Sequence, residues 1–260
     1  RRTSMTLPSS RTATYGYDAA GRLGTMTDWG GRQTSFGYDQ DGNQTSVTRA
    51  NGVVSTTVYD AAGRITSITH AKAGTTLLGV TYTYDAADRR TSAVTTGDGT
   101  ETYGYDELNR LTSASYPGPL NVSYTYDKGG NRLTEVRNGT TTSSTYDDAG
   151  QMITRGGVTY VYDQGGNLTQ AGSDTYGWDA EGRLTSVTRA GHSATYRYDG
   201  DGVRTRTTVD AATSELLVDR SGGLPTVVDD GSAAYLHAGG GITREARVHG
   251  EENSYGGIAQ

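Results

Sequence analysis

One pattern recurs ten times in this chain: an aromatic residue, Asp, and then the signal of a tight turn. The pairs are Tyr17-Asp18, Tyr38-Asp39, Tyr59-Asp60, Tyr84-Asp85, Tyr105-Asp106, Tyr126-Asp127, Tyr146-Asp147, Tyr162-Asp163, Trp178-Asp179 and Tyr198-Asp199. They lie 21, 21, 25, 21, 21, 20, 16, 16 and 20 residues apart. A period near 20 marks one supersecondary unit that stacks on copies of itself to bury a shared face.

Composition decides what the unit is made of. Thr, Tyr and Val are abundant, there are 38 Gly and only 4 Pro, and no window carries capped helical periodicity, so the expectation is all-β. Leu, Ile, Val and Phe make up only about 14% of the chain, and 19 Tyr supply burial area in their place. A net charge of −6 without a basic run argues against a nucleic-acid partner. No apolar run approaches the ~20 residues of a membrane span. The absence of Cys excludes disulfides and thiol catalysis. The opening Arg1-Arg2-Thr3-Ser4 reads as the interior of a longer polypeptide.

Within a unit, Thr175 to Asp179 alternates as a strand, residues 179–182 turn, and Arg183 to Arg189 returns; Ala190 to Ser193 then turns into the next unit. The Asp of each pair can cap its own turn by accepting a backbone N–H two residues on. Three residues after it, Gly21, Gly42, Gly63, Gly130, Gly150, Gly166, Gly182 and Gly202 allow the positive φ of a short hairpin loop with a G1 bulge. Asp88 and Asn109 take that place in two units.

Aromatic residues two apart, such as Tyr15 with Tyr17 and Tyr176 with Trp178, share one strand face and are expected to form ladders between units. Leu23 and Met26, Ile65 and Ile68, and Leu184 and Val187 lie three apart, which requires a bulge or cover on both faces. Arg22, Arg64 and Arg183, or Asn43, Asn131 and Asn167, follow the turn glycine; the arginines are placed to stack on tyrosine or pair with Asp of a neighbouring unit. Ala71 to Gly79 and Tyr116 to Asn121 read as longer loops.

The unit resembles the consensus of YD repeats, the rearrangement-hotspot (RHS) family, most completely in Tyr15 to Leu23, Tyr103 to Leu111 and Tyr176 to Leu184. The resemblance covers about residues 11 to 206. The stretches Gly223 to Gly231 and Tyr235 to Gly241 look like degenerate strands near the C-terminal end of such arrays, giving an expected division into an array of about ten hairpins over 1–206 and degenerate repeats over 207–260. The resemblance implies hairpins stacked into a spiralling, curved antiparallel sheet that forms part of a hollow shell or barrel. Bacterial polymorphic-toxin members enclose a C-terminal toxin domain, and teneurins use a related barrel in adhesion. The family's Asp-Pro-x-x-Gly self-cleavage motif has no counterpart here, because Pro8, Pro117, Pro119 and Pro225 do not follow Asp.

No catalytic, cofactor or metal residue is assigned. Each repeat Asp has a turn role, Asp39 to Asn43 and Asp199 to Gly202 lack the distal Glu of a Ca²⁺ loop, and His70, His192, His237 and His249 are scattered. The Gly239-Gly240-Gly241 run lacks the setting of a phosphate loop. Glu215, Asp219, Asp229, Asp230 and Glu245 lie in the least regular stretch without a marking spacing, which leaves a hydrolase as the weakest alternative. The leading expectation is a non-enzymatic shell segment of a secreted or cell-surface bacterial protein. Its partner would be the remainder of its own polypeptide, including further repeats and a C-terminal cargo or toxin. The alternative is a carbohydrate- or protein-binding adhesion module with tyrosine rows as the contact face.

Overall fold

A computed structural model describes residues 1–7, 10–220, 224–230, 232–238 and 241–247, giving the backbone alone for 234, 236–238 and 241–247. The described residues are all-β, with antiparallel pairing throughout and no helix. Two compact units divide the chain, Arg1–Thr142 and Ser143–Gln260.

The first unit is a meander in which each strand pairs with its sequence neighbours. Its strands are β1 (Ser4–Thr6), β2 (Thr12–Tyr17), β3 (Leu23–Thr27), β4 (Gln33–Tyr38), β5 (Gln44–Thr48), β6 (Val53–Tyr59) and β7 (Ile65–Lys72). They continue as β8 (Thr75–Tyr84), β9 (Arg90–Thr95), β10 (Gly99–Tyr105), β11 (Leu111–Ser115), β12 (Asn121–Tyr126) and β13 (Arg132–Arg137). The division of the chain falls within β14 (Thr140–Tyr146). The second unit continues the pattern with β15 (Met152–Arg155), β16 (Val158–Tyr162), β17 (Leu168–Ala171), β18 (Asp174–Trp178), β19 (Leu184–Arg189), β20 (His192–Tyr198), β21 (Arg204–Val209) and β22 (Ala212–Glu215). A separate four-stranded sheet follows, β23 (Leu217–Asp219), β24 (Thr226–Asp229), β25 (Ala233–Ala238) and β26 (Gly241–Arg247).

A bulge explains the three-residue spacing of the returning strands. Tyr17 pairs with Leu23 and Tyr15 with Met26, because the register shifts by one residue in between. The same shift sits between Ile65 and Ile68 and between Leu184 and Val187. The extra residue puts both apolar side chains on the face of the paired tyrosines.

Cross-strand pairing then sorts every strand into two faces. One face carries the tyrosines with small and aliphatic residues between them, and Ala13, Met26, Ala93, Ala114 and Val122 are buried there. On the other face of β1–β13, Thr, Ser, Gly and Val alternate, and no charged residue occupies a paired position. Hydroxyls there bond each other, as in Thr83–Ser92 at 2.7 Å and Thr125–Thr134 at 2.6 Å.

Two expectations are corrected. Tyrosines of successive units do not form a direct ladder; Tyr17, Tyr38 and Tyr105 pair with Leu23, Gln44 and Leu111. A returning strand lies between consecutive aromatic strands and holds them about 10 Å apart, twice the strand spacing. The segment Ala71 to Gly79 is strand rather than loop: β7 and β8 extend through it to a two-residue turn at Ala73 and Gly74, with φ of 49° and 81°. Similarly, β20 begins at His192, so that only Ala190 and Gly191 turn. Pro8, Gly223, Gly231, Gly239, Gly240 and His249 lie outside the described residues, as do the side chains of His237 and Glu245.

Candidate functional site: the repeated turn and its locks

All ten repeat Asp residues open the loop that joins the two strands of a unit. Asp N–H donates to the carbonyl four residues on, and the N–H three residues on donates to the Asp carbonyl, at 2.9–3.3 Å. The residue making that second bond is left-handed: Gly21, Gly42, Gly63, Gly130, Gly150, Gly166, Gly182 and Gly202 have φ of 73–93°, and Asp88 and Asn109 have φ of 63°. In every unit one carboxylate oxygen also accepts the N–H of the fourth residue, at 2.8–3.0 Å.

The second carboxylate oxygen meets the side chain at that same fourth position. Arg22, Arg64, Arg89, Arg110 and Arg183 donate through Nε at 2.7 Å, and Asn43, Asn131 and Asn167 through Nδ2 at 2.9–3.0 Å. Hydrogen bonds from Arg22 hold the Asp18 carboxyl below its ordinary value, and those from Asn43, Arg64, Asn131 and Asn167 do so for Asp39, Asp60, Asp127 and Asp163. Only the longer arginine reaches the next unit. Arg22, Arg89 and Arg110 donate through Nη1 to the carbonyls of Asp39, Asp106 and Asp127 at 2.9–3.0 Å. Their guanidinium carbons lie 4.6–5.0 Å from the ring centres of Tyr38, Tyr105 and Tyr126, a cation–π distance.

A third lock explains why the aromatic is Tyr and not Phe. The hydroxyls of Tyr17, Tyr38, Tyr59, Tyr84, Tyr105, Tyr126 and Tyr198 donate at 2.6–3.1 Å to the carbonyls of Arg2, Leu23, Gln44, Ile65, Arg90, Leu111 and Leu184. From Leu23 onward, each acceptor is the residue at the bulge of the preceding unit. Trp178 keeps the function with its indole N–H, 2.7 Å from the Leu168 carbonyl. Sequence reasoning missed this bond, although a signal was present in the offset of 15 residues that recurs in five units, as from Tyr38 to Leu23 and Tyr59 to Gln44.

Two more locks lie outside the pattern. Asp28 and Arg32 build the same loop without a preceding aromatic, and Asp28 is buried. In the tenth unit Val203 stands where the others have Arg, Asn or, at 151, Gln, and Arg220 arrives from beyond β22 to contact Asp199 and, at 3.0 Å, Asp201.

Among the described residues no group of His, Asp and Glu forms a metal cluster. His192 pairs with Asp210 at 2.6 Å, Glu215 with Arg206 at 2.5 Å, and Asp230 accepts Tyr235 O–H at 2.6 Å. Tyr84, Asp88, Arg90, Tyr103, Tyr105 and Leu111 line an open groove of about 510 Å³ on the aromatic face.

Comparison with known proteins adds a family context. Residues 90–212 match the family model described as Teneurin YD-shell, and residues 1–33 and 59–101 match RHS Repeat. No curated protein sequence matches. Among solved structures, a chain of the Photorhabdus luminescens Tc holotoxin pore superposes with a TM-score of 0.61 at 19% identity, over 90% of this chain and 15% of that one. The crystal structure of TcdB2-TccC3 gives 0.59 at 19% identity, again over 90% and 15%. The chain thus spans about 15% of the length of the solved chains it matches, and the likeness is one of fold.

Proposed function

Because the chain belongs to the YD/RHS-repeat family, we propose that it is a stretch of shell wall that encloses a C-terminal cargo or toxin segment of its own longer polypeptide. The observation that carries this reading is what the repeat residues do. The Asp carboxylates and the Arg and Tyr side chains of the repeat are engaged within a unit or between neighbours, which is the work of a scaffold and not of a reactive centre. On this reading residues 1–206 are the array, 207–260 approach its C-terminal end, and the whole protein is secreted or displayed on a bacterial surface. The chain itself carries no catalytic step.

Limited proteolysis of the full-length polypeptide tests this. The C-terminal segment is expected to resist protease while the array is intact and to be digested once two repeats are deleted. Equal digestion in both cases would remove the enclosure reading. A second reading, a glycan-binding surface, draws on the groove at Tyr84, Tyr103 and Tyr105. It predicts glycan binding that a Tyr103→Ala change abolishes.

A further inference from the structure

The long hairpin of β7 and β8 departs from the repeat, and a buried polar contact stands where it leaves the regular pattern. Tyr59 and Tyr84 are 25 residues apart, and the added residues extend both strands beyond the neighbouring hairpins. The extension is paired back to β6 through Val53↔Lys72, Val54↔Ala71 and Ser55↔His70. Ser55 is buried. Its Oγ lies 2.7 Å from Nδ1 of His70 and 2.6 Å from Nη1 of Arg49, which arrives from the β5–β6 turn.

Proton counting shows what this contact favours. Arg49 can only donate, so it occupies a lone pair of Ser55 Oγ. The single hydroxyl hydrogen is then free to point at Nδ1, which accepts it when the neutral ring carries its proton on Nε2. Protonated His70 would bring a second donor and a second cation to the same oxygen, and the hydroxyl hydrogen would lose its acceptor. The other elements packed on the ring offer no compensation. Ser55 of β6 and Leu78 of β8 are its cross-strand neighbours, and Lys72, two residues on, adds a further positive charge. Among the described residues no carboxylate acts on the ring; burial and Arg49 both disfavour its charged form.

We propose that Arg49, Ser55 and His70 form an acid-sensitive latch that holds the β7–β8 extension to β6 and releases it when His70 takes up a proton. The latch belongs to the first unit alone and holds whether or not the chain walls a shell. Burial and Arg49 lower the folded His70 below its ordinary 6.5. The latched state is therefore fully stable above 6.5 and weakens as pH falls from there toward the folded value. Within that window each opening takes up one proton, so the opening equilibrium rises by up to about tenfold per pH unit.

Hydrogen exchange read by mass spectrometry between pH 7.5 and 5, corrected for intrinsic rate, tests the latch. Protection across 53–56 and 69–72 is expected to fall by up to tenfold per unit below pH 6.5, while β12 and β13 stay flat. The His70→Asn variant, which keeps an acceptor in place of Nδ1 but cannot take up the proton, is expected to abolish the pH dependence. An unchanged slope in that variant, or flat protection in the parent chain, would overturn the proposal. NMR of the His70 ring in the parent chain supplies a check independent of any variant: a neutral ring with Nδ1 unprotonated at pH 7 supports the latch, and a protonated Nδ1 refutes it.

Discussion

On the aromatic face Met26 and Ala93 are 2% and 4% exposed, whereas Val58 and Val94 on the hydroxyl face remain 48% and 41% exposed. Ala93 and Val94 are consecutive residues of one strand, so the difference comes from what surrounds each face. The aromatic face brings long side chains from neighbouring units over short ones, and Arg, Asp and Tyr tie each unit to the next. Among the described residues the hydroxyl face has short links between adjacent strands, such as Thr83–Ser92 and Thr125–Thr134. In an array where each unit touches only its neighbours, stability depends on such interfaces. One face of the sheet therefore carries most of the side-chain coupling between repeats, and the other adds only short links between adjacent strands, such as Ser115 to Asn121.

Acid breaks this division most broadly. The folded carboxyls of Asp18, Asp39, Asp60, Asp127 and Asp163 lie below 3.8, so their contribution is present above that value and is lost as pH falls through the folded ones. Thermal midpoints measured from pH 6 to 2 should fall most steeply below about pH 4, well below the range of His70. Burial opposes ionisation of Asp230, but Tyr235 and Ser232 hold it at about 2, so it should be among the last groups to protonate. The next largest effect separates the faces directly. Met26→Ala should cost about 2–5 kcal/mol by urea denaturation, and Val58→Ala less than about 1 kcal/mol. Equal costs would mean that the hydroxyl face is covered in solution.

The sequence made the repeat visible because the constraints that fix it are local: Asp18 and Gly21 must sit three apart to close the loop, and Tyr15 and Tyr17 must sit two apart to share a face. The bulge stayed ambiguous, since Leu23 and Met26 at a spacing of three fit two arrangements until their partners Tyr17 and Tyr15 are known. The extension of β7 and β8 was hidden for another reason. Ala73 and Gly74 make a two-residue turn, but the flanking Thr75, Thr76 and Gly79 read locally as loop. Arg220 was beyond reach, because nothing near it in sequence marks it as a substitute for the arginine missing at Val203. Contacts between distant segments leave no period.

Glycine between the two tyrosines sharpens the picture of the hydroxyl face. A Cβ on Gly104 would stand 2.5 Å from Ser113 Oγ, and one on Gly16 would stand 2.5 Å from Thr25 Oγ1. The hydroxyl opposite lies over the glycine, whereas at Thr83 and Thr125 the two hydroxyls bond instead. Gly104→Ala should therefore cost about 1–3 kcal/mol through overpacking, and Ser113→Ala in the same chain should recover most of it. Additive losses in that double-mutant cycle would place the strain elsewhere.

The smallest change tests the coupling itself. Tyr105→Phe removes one oxygen, leaves the ring under Arg89, and deprives the Arg90 carbonyl of its donor. The cost should be about 0.5–1.5 kcal/mol, because the carbonyl lies at an exposed edge where water can replace the hydroxyl. The location of the loss matters more than its size. Since the bond joins two units, hydrogen exchange should rise at β9 as well as at β10, although only β10 carries the substitution. A change confined to β10 would mean that the stacked arginine alone joins the repeats. The same comparison at Trp178→Phe, where Asn167 replaces that arginine, should then show the larger spread into β17, because there the indole N–H has no stacked cation to share its role.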